Sequence, residues 1–344
     1  MDNPFTLSFG REPANRIDRA VQREMILESF QEERPSNQVY MITGVRGVGK
    51  TVMMTDISKY FASKDEWIVV DLTPELNLLS MLAAELYHYQ GMAEACRQAK
   101  INLSFLGIGV EIDGADQITD LNVAIRRMLT HIKNQKKKVL ITIDEAVCNK
   151  TMREFCSVFQ IYMRQELPVF LLLSGLYEKI YELQNEETLT FLYRAPKIEL
   201  QPLNIGMIAN RYQKIFHLAD DDALKMAQET KGYSFAFQVL GYLSWQKGEH
   251  WTRVLPEYSQ YLEEYVYQKL WSEVSHKDKK ILRAMAETED TRVAAIRSTL
   301  DISSSLFSVY RNRLIKKGLV YSADYGRIEF VLPRFKEFVT KQLL

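Results

Sequence analysis

Cysteine is scarce in this chain and its few copies are scattered. Cys96, Cys148 and Cys156 are odd in number and never spaced as a CxxC pair, so neither a disulfide framework nor a zinc–thiolate site is indicated. Buried thiols are expected instead. Histidine is also sparse: His88, His131, His217, His250 and His276 lie far apart without metal-ligand spacing, which leaves a metalloenzyme unsupported. Long apolar runs are missing. The longest, Leu167-Pro168-Val169-Phe170-Leu171-Leu172-Leu173, falls far short of the ~20 residues that span a bilayer. No charged and then apolar leader opens the sequence, so a cytoplasmic protein without a membrane partner is expected. Low-complexity tracts are absent, and 47% apolar with 26% charged residues is the composition of ordinary globular domains.

Net charge is zero, with 44 Lys and Arg against 44 Asp and Glu. The balance conceals an asymmetry. From Lys277 onward 14 basic residues face 8 acidic ones, leaving 30 against 36 upstream. Positive charge concentrated in one module is how nucleic-acid binders are built. A length of 344 residues suggests two or three domains at roughly 100–200 residues each.

Over the first 200 residues, short β-branched runs alternate with longer helical stretches, which predicts a parallel sheet built from βαβ units. Strands are expected at Gln38–Thr43, Trp67–Leu72, Val139–Ile143, Val169–Leu173 and Lys197–Leu200. Their nearly continuous hydrophobicity implies cover on both faces. Helices are expected at Ile17–Phe30, Lys50–Phe61, Leu76–Gln90, Thr119–Asn134, Lys150–Arg164 and Leu176–Leu183. Ile101–Ile112 alternates and carries Gly107 and Gly109, which reads as an inserted hairpin near 101–112. After Gln201-Pro202-Leu203 the strand signal stops. Helices are expected at Asn204–Phe216, Asp222–Lys231, Phe235–Gln246 and Val254–Trp271, with Asn204 and Asp220 to Asp222 as caps and Gly232 as a stop. From Lys277, helices at Asp278–Ala286, Arg292–Thr299 and Ser305–Lys317 precede strands at Leu319–Ser322 and Arg327–Leu332. That order reads as a winged helix-turn-helix. The expected fold class is therefore α/β, a P-loop NTPase-type parallel five-stranded sheet flanked by helices, then an all-α lid and the winged helix. The expected domains are 1–203, 204–274 and 275–344.

Gly44-Val45-Arg46-Gly47-Val48-Gly49-Lys50-Thr51 fits GxxxxGK[ST] between a predicted strand and a predicted helix, the context this motif requires. Glycines let successive N–H groups turn around phosphate oxygens, and the helix N-terminus favours the anion. Residues Gly44 to Thr51, with Val52 behind them, form the expected cradle; Lys50 reaches the terminal phosphates and Thr51 holds Mg²⁺. Such a loop alone fits ATPases, GTPases and small-molecule kinases. Val139-Leu140-Ile141-Thr142-Ile143-Asp144-Glu145 narrows the choice. An apolar strand ending in two acids places Asp144 at the sheet's carboxyl edge, where it completes the Mg²⁺ site, and Glu145 where it orients or deprotonates water. A solvated strand end before a helix is the bland reading of the same acids.

Ser174, closing the next strand, stands where a small polar group would touch the γ-phosphate, although a serine before glycine is also an ordinary turn residue. Arg194, just before the last strand, fits a cation supplied to a γ-phosphate in cis or from a neighbouring subunit, and equally an ion pair with a local acid. In the tail, Ser303-Ser304-Ser305 caps the third helix. Ser305, Ser308, Arg311, Asn312 and Lys316 are the side chains expected to contact double-stranded DNA or a partner protein, with Tyr310, Arg313 and Lys317 alongside them.

Taken together, GVRGVGKT at Gly44–Thr51, LITIDE at Leu140–Glu145, Ser174, Arg194, a helical lid and a winged helix resemble an AAA+ P-loop ATPase. The likeness is to the origin-recognition-like group that grades into the STAND-related prokaryotic ATPases. It implies ATP and Mg²⁺ as cofactors, Walker A at Gly44, Gly49, Lys50 and Thr51, Walker B at Asp144 and Glu145, a sensor at Ser174 and an arginine finger at Arg194. It also implies the sheet order 5-1-4-3-2, a homo-oligomer or protein partner, and a segment near the adenine at Phe9-Gly10-Arg11-Glu12. Lys231-Gly232-Tyr233-Ser234-Phe235 departs from the family, with Ser234 where STAND relatives usually carry proline. The expected function is an ATPase switch, slow without a partner, that couples nucleotide state to the winged helix. Its alternative is a non-hydrolysing ATP-binding regulator or scaffold.

Overall fold

The computed structural model describes residues 2–7, 15–104, 118–288 and 290–342. Phe9-Gly10-Arg11-Glu12 and residues 105–112 of the expected hairpin lie outside them; Ile101 forms an isolated parallel bridge with Ile118. The chain divides into two compact units. One comprises Arg19–Thr43 and Lys50–Glu199, the other Met1–Asp18, Gly44–Gly49 and Leu200–Leu344.

The unit containing Arg19–Thr43 holds a sheet of five strands: β1 Val39–Thr43, β2 Trp67–Leu72, β3 Lys138–Ile143, β4 Val169–Gly175 and β5 Lys197–Glu199. Every pairing is parallel, and the order is β2-β3-β4-β1-β5, the expected 5-1-4-3-2 read from the other edge. The two faces differ in packing. Val39, Met41, Val70, Ile141, Ile143, Leu171 and Leu173 share a core with helices Leu78–His88, Leu121–Asn134 and Lys150–Arg164. On the other face Tyr40, Trp67 and Phe170 meet Phe30 and Phe61 in an aromatic cluster, beneath helices Ala20–Gln31 and Lys50–Ala62. Burial on both sides is why the inner strands β1, β3 and β4 are nearly continuously apolar, whereas the edge strand β5 buries Ile198 and exposes Lys197 and Glu199. Helix starts follow their caps: Asn77, Asp120 and Asn149 accept hydrogen bonds from the N–H of Ser80, Val123 and Met152, which sets the first turn. The expected single helix Leu76–Gln90 ends at His88, and a second begins at Met92 after Gly91, whose φ of +83° breaks the run.

The other unit is helical. Ser234–Lys247 is buried nearly all round, as a central helix must be when neighbours cover it on every side. Ile205–Phe216, capped by Asn204, and Asp220–Gln228 precede it in sequence. Asp220, Asp221 and Asp222 fill the first turn of the latter while Ala219 takes the cap position. One apolar core extends from Leu203 to Val339 and includes Phe5 from the chain's start. The expected helix Val254–Trp271 is interrupted: Leu255–Leu262 passes through one π-helical turn, Glu263–Tyr267, into Gln268–Glu273. Beyond Ser275 come helices His276–Glu287, Val293–Leu300 and Ser304–Lys316, then β6 Val320–Tyr321 and β7 Glu329–Phe330 as an antiparallel pair, and a closing helix Phe335–Lys341. That closing helix carried no expectation from sequence. No helix among the described residues is long and apolar enough to cross a membrane.

Candidate functional site

The carboxyl edge of the sheet gathers polar groups on otherwise apolar strands. Asp144 follows the last residue of β3, and its carboxylate accepts from three donors. The Thr51 hydroxyl donates at 2.6 Å, the Glu145 N–H at 2.9 Å, and the Ser174 hydroxyl donates to Oδ1. Ser174 is fully buried near the end of β4, so its hydroxyl has a structural need for an acceptor. The chain reverses sharply after Asp144. Glu145 lies in the left-handed region with φ +52°, and the Ala146 N–H donates to the Ser174 carbonyl at 2.7 Å, which fixes the turn to β4. Glu145 is exposed. Further along this edge the Thr142 hydroxyl donates to Asp71, in register with it on β2. Asp71 was missed by sequence reasoning; its signal was an acid in the penultimate position of an apolar strand.

All three donors to Asp144 are neutral, and it has no salt-bridge partner among the described residues. Hydroxyl and amide donors thus orient the carboxylate without bringing a cation to it. No group of three or more His, Cys, Asp and Glu is placed to hold a metal among the described residues. One carboxylate beside one threonine hydroxyl suits Mg²⁺, which binds few protein ligands and keeps several waters.

The glycine loop Gly44–Gly49 runs from β1 to helix Lys50–Ala62, whose first residue Lys50 is buried. Gly44, Gly47 and Gly49 have φ of +154°, +76° and +103°, values that L side chains rarely adopt. At Gly47 a Cβ would also collide with the Tyr233 ring and stand 3.2 Å from Phe235 Cβ. The loop's carbonyls are engaged in sequence. Tyr233 Oη donates to Arg46 O at 2.6 Å, the Phe235 N–H to Gly47 O at 3.1 Å, and Ser234 Oγ to Val48 O at 2.8 Å. Burial raises the Tyr233 phenol above its ordinary pKa, which keeps its proton available for donation at neutral pH. Val45 abuts Gly318, and Arg46 lies 3.9 Å from Glu273. Val52 is half-buried in the helix's first turn.

Other expected residues fall elsewhere. Arg194 ends the helix Thr190–Arg194, is exposed, and has no ion-pair partner among the described residues. On Ser304–Lys316, Ser305, Asn312 and Lys316 are exposed, and Ser308 and Arg311 are half-buried. Ser305 shares a hydrogen bond with Ser303, and Ser308 donates to the Ser304 carbonyl. Arg313 is committed to Asp278, with Nε at 3.0 Å from Oδ1. Cys96 and Cys156 are buried, and Cys148 donates to Glu186 at 3.5 Å; burial pushes the Cys96 thiol up to about 11 and raises the other two, which makes all three poor nucleophiles.

A Walker-type ATPase of Pyrococcus abyssi superposes with a TM-score of 0.67 over 94% of this chain and 95% of its own, at 16% identity. The chain has the AAA+ fold. The Aeropyrum pernix ORC2 protein, solved as ADPNP–ADP complexes, gives 0.58 over 97% of this chain and 96% of its own at 13% identity. Cdc6p from Pyrobaculum aerophilum gives 0.50 over 97% and 96% at 14% identity. A family model described as a domain of unknown function (DUF8462) matches residues 264–339. No curated protein matches. On this AAA+ fold Asp144 and Ser174 lie at the strand ends, where open α/β sheets bind ligands, and Thr51, in the first turn of helix Lys50–Ala62, bonds to Asp144.

Proposed function

We propose that this chain is an ATP-binding, Mg²⁺-dependent ATPase that acts as a switch. The observation that carries the reading is the 2.6 Å hydrogen bond from Thr51 to Asp144: a glycine-loop hydroxyl and a strand-end carboxylate, 93 residues apart, meet as the pair that would share a metal. ATP with Mg²⁺ would supply a transferable phosphoryl group whose charge is already partly neutralised. The chain's residues do the rest. Gly44 to Gly49 cradle phosphate oxygens, Lys50 neutralises the terminal phosphates, and Thr51 and Asp144 hold the metal. Glu145, exposed beside Asp144, orients and deprotonates the attacking water. Ser174 buttresses Asp144 within reach of the γ-phosphate edge, and Arg194, with no ion-pair partner among the described residues, serves as the transition-state cation.

We assign 1–203 to the ATPase domain, 204–274 to a lid and 275–344 to a winged helix. Ser305, Ser308, Arg311, Asn312 and Lys316 then line its surface toward double-stranded DNA. The exposed Leu306, Val309 and Tyr325, at 43%, 60% and 107%, favour a second reading in which that surface docks a protein, since exposed apolar side chains mark such contacts. Turnover of Mg·ATP by wild type, Lys50→Ala and Glu145→Gln tests the core assignment. Wild type should hydrolyse ATP measurably faster than either variant, and equal rates in all three overturn it. Nucleotide retained without turnover in the wild type points to the non-hydrolysing regulator. Salt-dependent duplex binding that weakens in Arg311→Ala and Lys316→Ala supports DNA; no duplex binding at low salt supports the protein partner.

A further inference from the structure

We propose that Tyr233, Ser234 and Phe235 form a positioning latch for the phosphate loop, so that the lid segment sets the conformation in which the loop receives phosphate. The proposal rests on the nucleotide reading above but has its own geometry. Three consecutive carbonyls, of Arg46, Gly47 and Val48, each accept from this three-residue segment at 2.6, 3.1 and 2.8 Å. A trans peptide is planar with its C=O and the following N–H on opposite sides. Pulling the Arg46 and Val48 carbonyls toward the latch therefore turns the Gly47 and Gly49 N–H groups to the other side, where a phosphate cradle needs them. The Val48 N–H closes the loop on Val45 O at 3.4 Å.

Side chains on the loop make further contacts within the same unit. Val45 abuts Gly318, in the turn after helix Ser304–Lys316, and Arg46 lies toward Glu273. Gly47 is held by the latch as well as by its φ: any Cβ there would displace the Tyr233 ring. A glycine-rich loop left alone samples many conformations, and binding would then cost the entropy of fixing one. Carbonyls already engaged remove part of that cost, which is preorganisation in the ordinary sense. Coupling of this kind is reciprocal: if the latch favours nucleotide, nucleotide favours the latch.

The test uses the full chain and the variants Tyr233→Phe and Ser234→Ala, alone and combined. Each deletes one donor and keeps the helix start. Two readouts are needed: affinity for a fluorescent ATP analogue with Mg²⁺, and hydrogen exchange of the amides in 44–51 without nucleotide. A hydrogen bond contributes about 1 kcal/mol, so the double variant should bind roughly tenfold more weakly or worse. Its loop amides should exchange faster in the nucleotide-free protein, while its circular dichroism and the exchange of the sheet strands stay those of wild type. In wild type, added nucleotide should slow exchange at Phe235, and in Lys50→Ala it should not. Unchanged loop exchange in the double variant overturns the latch, whether or not nucleotide binds. Equal affinity in wild type and double variant also overturns it. Failure of the wild type to bind any nucleotide sinks the parent reading and leaves the exchange measurement to decide the latch by itself.

Discussion

Asp144 and Asp278 are two acids at the ends of elements, and their surroundings assign them opposite roles. Asp278 is fully buried in the first turn of His276–Glu287. It accepts from Ser275 Oγ at 2.7 Å and from Arg313 Nε at 3.0 Å. Its charge is matched by a guanidinium, so the pair fastens one helix to another and nothing is left over. Among the described residues, Asp144 accepts only from two hydroxyls and an N–H. Those donors orient the carboxylate and bring no cation to it, an arrangement that suits a metal ion holding few protein ligands. The chemistry of a carboxylate is thus read from the charge of its donors, more than from how many there are.

Substitutions can break this contrast. The largest effect is expected for Asp144→Asn: Mg·ATP turnover falls by at least about a hundredfold, as expected when several kcal/mol of metal-mediated charge stabilisation is removed. Nucleotide-free stability should change by less than about 1 kcal/mol, because no ion pair is lost. Urea denaturation with a coupled ATPase assay checks both. Arg313→Ala should do the reverse. It leaves Asp278 buried without its cation, at a cost of about 3–5 kcal/mol, while turnover per folded molecule holds; Arg313→Lys should recover part of the stability but lacks the fork geometry. Ser174→Ala removes one neutral donor, worth about 1 kcal/mol, and should raise the Mg²⁺ concentration needed for half-maximal turnover roughly fivefold.

Asp222 lies between the two cases and gives the smallest effect. Burial opposes its ionisation, but hydrogen bonds from His250 and Trp251 outweigh burial and hold its carboxyl below the ordinary carboxylate range. A depressed folded-state pKa contributes stability at neutral pH that is lost as pH falls through that value. Stability measured against pH should therefore decline less steeply on the acid side in His250→Ala than in wild type.

The strand ends were legible in the sequence because each signal is local. A continuous apolar run followed by glycines, or by two acids, needs no knowledge of distant residues, and the sheet order then brings Asp144 to Thr51. Helices were equally legible where a cap precedes them, as at Asn149 and Asn204. The outer side of the glycine loop was not. Tyr233-Ser234-Phe235 reads as the start of a lid helix, and nothing local says that its hydroxyls serve carbonyls 186 and 187 residues upstream. Arg313 was read as one of several cations decorating a helix, since its partner lies 35 residues away. The π-helical turn at Glu263–Tyr267 also has no local signature, because the sequence continues an ordinary helical pattern through it.

Phe5 carries a consequence for how the molecule is made. Its ring stacks on Phe216, meets Tyr212 and Phe237, and lies where any Cβ on Gly241 would have to be. The ribosome delivers Phe5 long before the residues that seat it. At about 5–20 residues per second, the interval is on the order of ten to fifty seconds. Within it the whole sheet unit, whose segments all lie between Arg19 and Glu199, is synthesised and completed before the residues that seat the ring. A substitution at Phe5 therefore acts on a docking step that comes long after the residue itself has been synthesised.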